Sequence, residues 1–139
     1  MGQKSYIIGF TCGAFDLVHA GHVLMFKEAK EHCNWLVVGL QIDPSVDRPG
    51  KNKPIMTVKE RVIILSAIKY IDEIRIYTTE DDLVRLLKEV RPDVRIIGED
   101  WRDKNYTGRD LPIRTVFNGR NHTYSTSELR RRVCEAEIK

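Results

Sequence analysis

The run Trp35-Leu36-Val37-Val38-Gly39-Leu40 is apolar at every position. A strand with one face in water would alternate, so this one fits a parallel strand covered on both faces. Shorter strand-like runs recur at Tyr6–Phe10, Glu73–Tyr77, Val94–Gly98 and Ile113–Phe117. Between them the apolar period changes to that of helices. Val23, Phe26, Ala29 and Lys30 mark a helix beginning near Val23. Val62, Leu65 and Ile68 form one stripe behind Thr57-Val58-Lys59-Glu60, a capping box with Thr57 as N-cap. Thr79-Glu80-Asp81-Asp82 repeats that logic ahead of Leu83, Leu86, Leu87 and Val90, and Pro92 stops the helix. Ser125 or Thr126 caps a last helix reaching about Glu137. Asp43–Met56 and Trp101–Pro112 read as loops.

Strands that alternate with helices require right-handed crossovers. The expected fold is therefore α/β: a single Rossmann-like, doubly wound, parallel five-stranded sheet of order 3-2-1-4-5, one domain over residues 1–139. A chain of 139 residues is long enough to bury a core. Its net charge of +3 is too small to imply nucleic-acid binding, although a local basic pocket for an anionic small molecule is compatible with it. No apolar run approaches the roughly 18–20 residues of a membrane span. Cys12, Cys33 and Cys134 form neither a CxxC pair nor a metal-like spacing, which fits a reducing cytosol and a cytoplasmic protein.

In a sheet of this order, ligands bind beyond the carboxyl ends of the strands, in the crevice between strands 1 and 4. The loop after strand 1 contains His19-Ala20-Gly21-His22, and that after strand 4 contains Gly98-Glu99-Asp100-Trp101. A strand-to-helix turn offers free N–H groups and the positive end of a helix dipole, which suit a phosphate. Gly21 lets a phosphate approach the backbone, and two imidazoles add donors as charge builds on phosphorus. The same pair also reads as surface or capping histidines. A zinc site is disfavoured because no third ligand has suitable spacing, although Asp16 is close. His32 reads as a helix-end residue. His122 lies close enough to the last helix start for a ligand contact, and Arg130-Arg131-Arg132 reads as a solvated helix face.

Gly13-Ala14-Phe15-Asp16-Leu17-Val18-His19-Ala20-Gly21-His22 matches the pattern GxFDxxHxGH. The chain resembles the HIGH-motif nucleotidyltransferase superfamily in the form common to the cytidylyltransferases. Lys51 and Lys53, Lys59-Glu60-Arg61, Ile68–Ile74, Gly98–Trp101 and Arg120 with Tyr124-Ser125-Thr126-Ser127 continue the likeness in family order, most like glycerol-3-phosphate cytidylyltransferases. Lys69 stands where the family carries arginine, which loses a bidentate fork, and Tyr124 stands where an aliphatic residue is usual.

The resemblance implies transfer of CMP from CTP to a phosphorylated alcohol, glycerol 3-phosphate, giving CDP-glycerol and pyrophosphate. The catalytic set would be His19, His22, Lys53 and Arg61. The nucleotide would lie against Cys12, Gly13, Ala14, Phe15, Asp16 and Gly21, with Asp100, Arg120, Tyr124, Ser125, Thr126 and Ser127 closing over it. Lys51, Lys53, Lys69 and Trp101 would meet the acceptor. Mg²⁺ would arrive with the triphosphate, near Asp16. Alternatives are adenylyl transfer to a sugar phosphate or FMN, cytidylyl transfer to choline or ethanolamine phosphate, and a non-catalytic nucleotide-binding module. The partners expected are small molecules and a second copy in a homodimer, with neither nucleic acid nor membrane.

Overall fold

A computed structural model describes residues 6–119 and 122–138. The elements are β1 (Ile8–Gly13), α1 (Ala20–Lys30), β2 (Trp35–Gln41), α2 (Val58–Ser66), β3 (Glu73–Tyr77), α3 (Glu80–Val90), β4 (Val94–Gly98), β5 (Arg114–Asn118) and α4 (Thr126–Ile138), with short 3₁₀ turns at Pro44–Val46 and Glu99–Trp101. All strand pairings are parallel, in the order β3-β2-β1-β4-β5, as expected.

Side chains along β2 alternate between two cores. Leu36, Val38 and Leu40 pack with Phe26 and Ala29 of α1 and Leu65 of α2. Val37 packs with Phe10, Tyr77 and the α3 residues Leu83, Leu86 and Leu87. Helices thus cover both faces, which is why β2 carries no polar alternation until Gln41.

Boundaries moved where tertiary pairing outweighed local pattern. The first strand was expected over Tyr6–Phe10 but runs from Ile8 to Gly13, because Thr11, Cys12 and Gly13 pair with Val38, Gly39 and Leu40. Tyr6 is instead exposed, with its ring edge-on to Trp35. The fifth strand is likewise one residue later than expected, at Arg114–Asn118. The first helix starts at Ala20, earlier than Val23, because His19 is its N-cap.

α2 and α3 open on the capping boxes read from the sequence, Thr57 with Glu60 and Thr79 with Asp82. Backbone N–H donors, of Thr57 to Glu60 and of Thr79 to Asp82, hold both carboxyls below their usual range. The stabilisation they add is present at neutral pH and is lost as the pH falls through the lowered carboxylate values.

Arg61 on α2 is 2% exposed. Its Nε donates to the carbonyls of Met56 and Thr57, Nη1 to Ala14 (2.9 Å) and Gln41 (2.8 Å), and Nη2 to Ile42 (2.8 Å). One guanidinium therefore ties the loop after β1, the end of β2 and the start of α2 together. Asp16 adds a second tie: its two carboxylate oxygens accept from Ile55 N and Met56 N, each at 2.9 Å, and Arg130 of α4 pairs with it at 3.4 Å. Replacing Arg61 by Met should strand several buried carbonyls and lower the unfolding free energy by about 3 kcal/mol or more. Urea denaturation measures this, and Arg61→Lys should rescue little because one ammonium cannot span the same acceptors. An unchanged midpoint would contradict the assignment.

Candidate active site

At the carboxyl ends of β1 and β4 lies a cavity of about 1090 Å³. α1 enters it by its N-terminus. His19 Nδ1 accepts from Gly21 N (3.0 Å), and His22 Nδ1 accepts from His19 N (3.1 Å). The two imidazoles thereby cap their own helix reciprocally. With Nδ1 occupied as an acceptor, each neutral ring carries its proton on Nε2. His19 Nε2 then donates to Thr126 Oγ1 at 3.2 Å, at the first residue of α4. The rings are 4.1 Å apart between centroids.

A second helix N-terminus meets the first here. Ser125 Oγ accepts from Glu128 N, capping α4, and Tyr124, Ser125, Thr126 and Ser127 line the cavity. A third imidazole joins them. His122 Nδ1 accepts from Tyr124 N (3.1 Å), and its ring stacks on Tyr124. A Cβ on Gly21 would lie 2.9 Å from ring carbons of both His19 and His122, so the glycine is what lets those rings close over the helix end. Sequence reading noted only the proximity of His122; a histidine two residues before an exposed aromatic in a loop gives no stronger signal.

Cys12, Gly13, Ala14, Gly21, Lys51 and Trp101 also stand in the cavity wall. Lys51 and Lys104 both lie over the Trp101 ring, at 5.9 and 5.4 Å. Phe15 is beneath the wall, 7% exposed, with a left-handed backbone (φ 47°) and its ring against Phe26 and edge-on to His22. It sets the floor on which His22 rests.

Several other expected site residues fall outside that wall. Arg61 was expected to clamp phosphate, but its guanidinium is taken up by backbone carbonyls. Asp16 was expected near Mg²⁺, but both its oxygens are engaged by backbone N–H groups, and its side chain is only 10% exposed. Among the described residues no group of three or more His, Cys, Asp or Glu could hold a metal. Lys53 is exposed outside the cavity wall, where it helps Ser45, the main cause, hold the Asp43 carboxyl below its usual range. Asp100 is exposed beside the cavity rather than in its wall. Lys69 precedes β3 and lies over Tyr70, at the amino ends of the strands and away from the cavity. Arg120 lies outside the described residues.

The opposite side of the cavity is lined by Gln41, Arg48, Tyr77, Glu80, Arg95 and Thr107, none of which belongs to a site motif in the sequence. Glu80 accepts from Gln41 Nε2 (2.9 Å) and Thr107 Oγ1 (2.8 Å) and pairs with Arg48 at 3.7 Å. Burial pushes the Tyr77 phenol strongly upward, so it stays neutral.

A doubly wound parallel sheet whose switch point joins two helix N-termini and an imidazole cap is a Rossmann-like α/β domain with a crevice suited to a phosphate group. The chain belongs to the cytidylyltransferase-like family, whose model matches residues 10–132. It is 34% identical to the bifunctional protein HldE of Campylobacter curvus over 98% of this chain, and 38% identical to that of Campylobacter concisus over 79%. The chain spans only 29% and 23% of those two relatives' lengths. Its fold is similar to that of a lipopolysaccharide core biosynthesis protein from Thermoplasma volcanium (TM-score 0.61, 22% identity, 96% of this chain and 90% of that one). It is also similar to pantoate-beta-alanine ligase from Francisella tularensis, solved with beta-gamma ATP and beta-alanine (TM-score 0.60, 16% identity, 90% and 62%). No helix among the described residues is long and apolar enough to cross a membrane.

Gly21→Ala should leave the melting temperature nearly unchanged, because ring tips can swing aside, while displacing His19 and His122. The ring signals of both histidines should shift in a histidine NMR spectrum. Unmoved signals in a folded Gly21→Ala protein would show that neither ring depends on the close approach.

Proposed function

We propose that the chain transfers the nucleoside monophosphate of ATP to the phosphate of a sugar phosphate, releasing pyrophosphate. The similarity to bifunctional HldE proteins supports ATP and a sugar phosphate over the CTP and glycerol 3-phosphate that the motifs alone suggested. A fold neighbour named for lipopolysaccharide core biosynthesis is in keeping with a sugar acceptor. The observation that carries the reaction class is the reciprocal cap. It leaves Nε2 as the donor nitrogen of each neutral ring, and His19 Nε2 lies 3.2 Å from Thr126 Oγ1 at the start of α4.

The chemistry follows from that arrangement. A phosphate oxygen of the acceptor attacks the α-phosphorus, a new P–O–P linkage forms, and the bond to the bridging oxygen of pyrophosphate breaks. The acceptor oxygen is already anionic, so no general base is required. What the protein supplies is position and charge stabilisation. Nε2–H of His19 and His22 donates to α-phosphate and bridging oxygens as charge develops there. The hydroxyls and free N–H groups at the start of α4 receive the remaining phosphates. Lys51 over Trp101 adds a cation at the rim. Mg²⁺ enters as part of the triphosphate substrate.

Two measurements test this. With ATP, CTP, GTP and UTP each paired with sugar 1-phosphates and glycerol 3-phosphate, pyrophosphate release should be greatest for ATP with a sugar phosphate. A larger signal from CTP with glycerol 3-phosphate would reverse the substrate assignment. His19→Ala should keep ATP binding and lose turnover by about 10²-fold or more. Undiminished turnover would remove the imidazole cap from the reaction.

A further inference from the structure

The α3 side of the cavity contains a guanidinium that no carboxylate among the described residues pairs with. Arg95 extends from β4 on that side and is 5% exposed. Its Nη1 donates to the Thr107 carbonyl, Nη2 lies 3.8 Å from Cys12 Sγ, the guanidinium sits over the Tyr106 ring, and Nε is buried without a hydrogen-bond partner. Among the described residues no carboxylate is within ion-pair distance of it. Arg61 shows what a saturated buried arginine looks like in this fold: equally hidden, but met by carbonyls on every donor edge. Arg95 is not met in that way. A guanidinium in apolar surroundings without a counter-charge is costly, and a cation retained in a cavity wall at such a cost calls for an anion.

The rest of the recess sharpens the chemistry. Arg48 also has a buried Nε without a hydrogen-bond partner, although Glu80 lies 3.7 Å from it as its ion pair. Glu80 is further engaged by Gln41 and Thr107. Glu80 thus answers Arg48 and not Arg95, and the neutral Tyr77 phenol adds no negative charge. The recess opens into the same cavity as His19 and His22 but lies on the α3 side, whereas the imidazoles lie at the start of α1.

We propose that the acceptor carries a second anionic group, a carboxylate or a further phosphate, and that Arg95 receives it while the acceptor's reacting phosphate lies at the imidazole end of the cavity. This rests on the nucleotidyl-transfer reading above and specifies its acceptor class. Arg95 is thereby a specificity-determining residue.

The test uses the full chain with ATP and matched acceptors: glucose 1-phosphate against glucuronic acid 1-phosphate and glucose 1,6-bisphosphate, and glycerol 3-phosphate against 3-phosphoglycerate. In at least one pair the doubly anionic member should exceed the neutral-ended one by about tenfold or more in kcat/KM, and Arg95→Met should bring that ratio down to about one. The carboxylate and bisphosphate arms tell the two anions apart. Unliganded Arg95→Met should melt at or above the wild-type temperature, because an unbalanced buried charge has been removed; Arg95→Lys should keep part of the preference. Neutral-ended acceptors used equally well in every pair would overturn the proposal. So would a marked loss of unliganded stability in Arg95→Met, which would make Arg95 a strut for the Thr107 segment. Absence of turnover from every pair with every nucleotide would instead count against the transfer reading, while the stability of Arg95→Met would still decide the role of Arg95.

Discussion

The site depends on a reciprocal hydrogen-bonded cap in which two imidazoles begin the helix they serve. A helix start leaves backbone N–H groups without intrahelical acceptors, and side chains of Ser, Thr, Asp or Asn usually meet them. Here Nδ1 of His19 and of His22 does so. The consequence is chemical as well as structural. An imidazole that accepts on one nitrogen presents a donor on the other, so the interaction that starts α1 also sets the protonation pattern of the cavity. Thr126, at the start of α4, is within reach of one of those donors, which brings the two helix N-termini to one place.

Arg61, Arg48 and Arg95 divide the labour by how their charges are met. Arg61 is enclosed by carbonyls and keeps the carboxyl ends of β1 and β2 in register with α2. Arg48 shares Glu80 and Gln41. Arg95 is left with a carbonyl, a thiol and an aromatic face. Equal burial thus carries opposite meanings: a saturated guanidinium is part of the frame, and an unsaturated one facing a cavity is a receptor. The same distinction applies to Asp16, whose carboxylate is a clasp for Ile55 and Met56.

The sheet order and the helices on its two faces were legible because they follow from apolar period and alternation, which survive folding. The starts of α2 and α3 were legible because Thr57 with Glu60 and Thr79 with Asp82 are local devices. The start of α1 was misplaced because histidine is an uncommon cap, and its role emerges only from ring geometry. β1 was misplaced because Tyr6 and Ile7 look like strand residues locally, whereas pairing to β2 selects Thr11–Gly13 instead. In the site, the loop residues flanking β1 and α4 could be read from motif and topology together. Arg61, Asp16 and Lys69 could not. Nothing local distinguishes an arginine on a helix that reaches phosphate from one that reaches carbonyls, and a lysine before β3 reveals its end of the sheet only once the strands are assembled. Arg95 was hidden for the same reason, because only the assembled sheet shows that it faces the cavity.

The most direct test of the imidazole cap is the tautomer of its two rings. In protein labelled with ¹⁵N-histidine, two-bond proton–nitrogen correlation spectra should show His19 and His22 with bare Nδ1 and protonated Nε2, and the Nε2 signals should shift on addition of ATP. Protonation of Nδ1 in either neutral ring, or Nε2 signals indifferent to the triphosphate, would contradict the account.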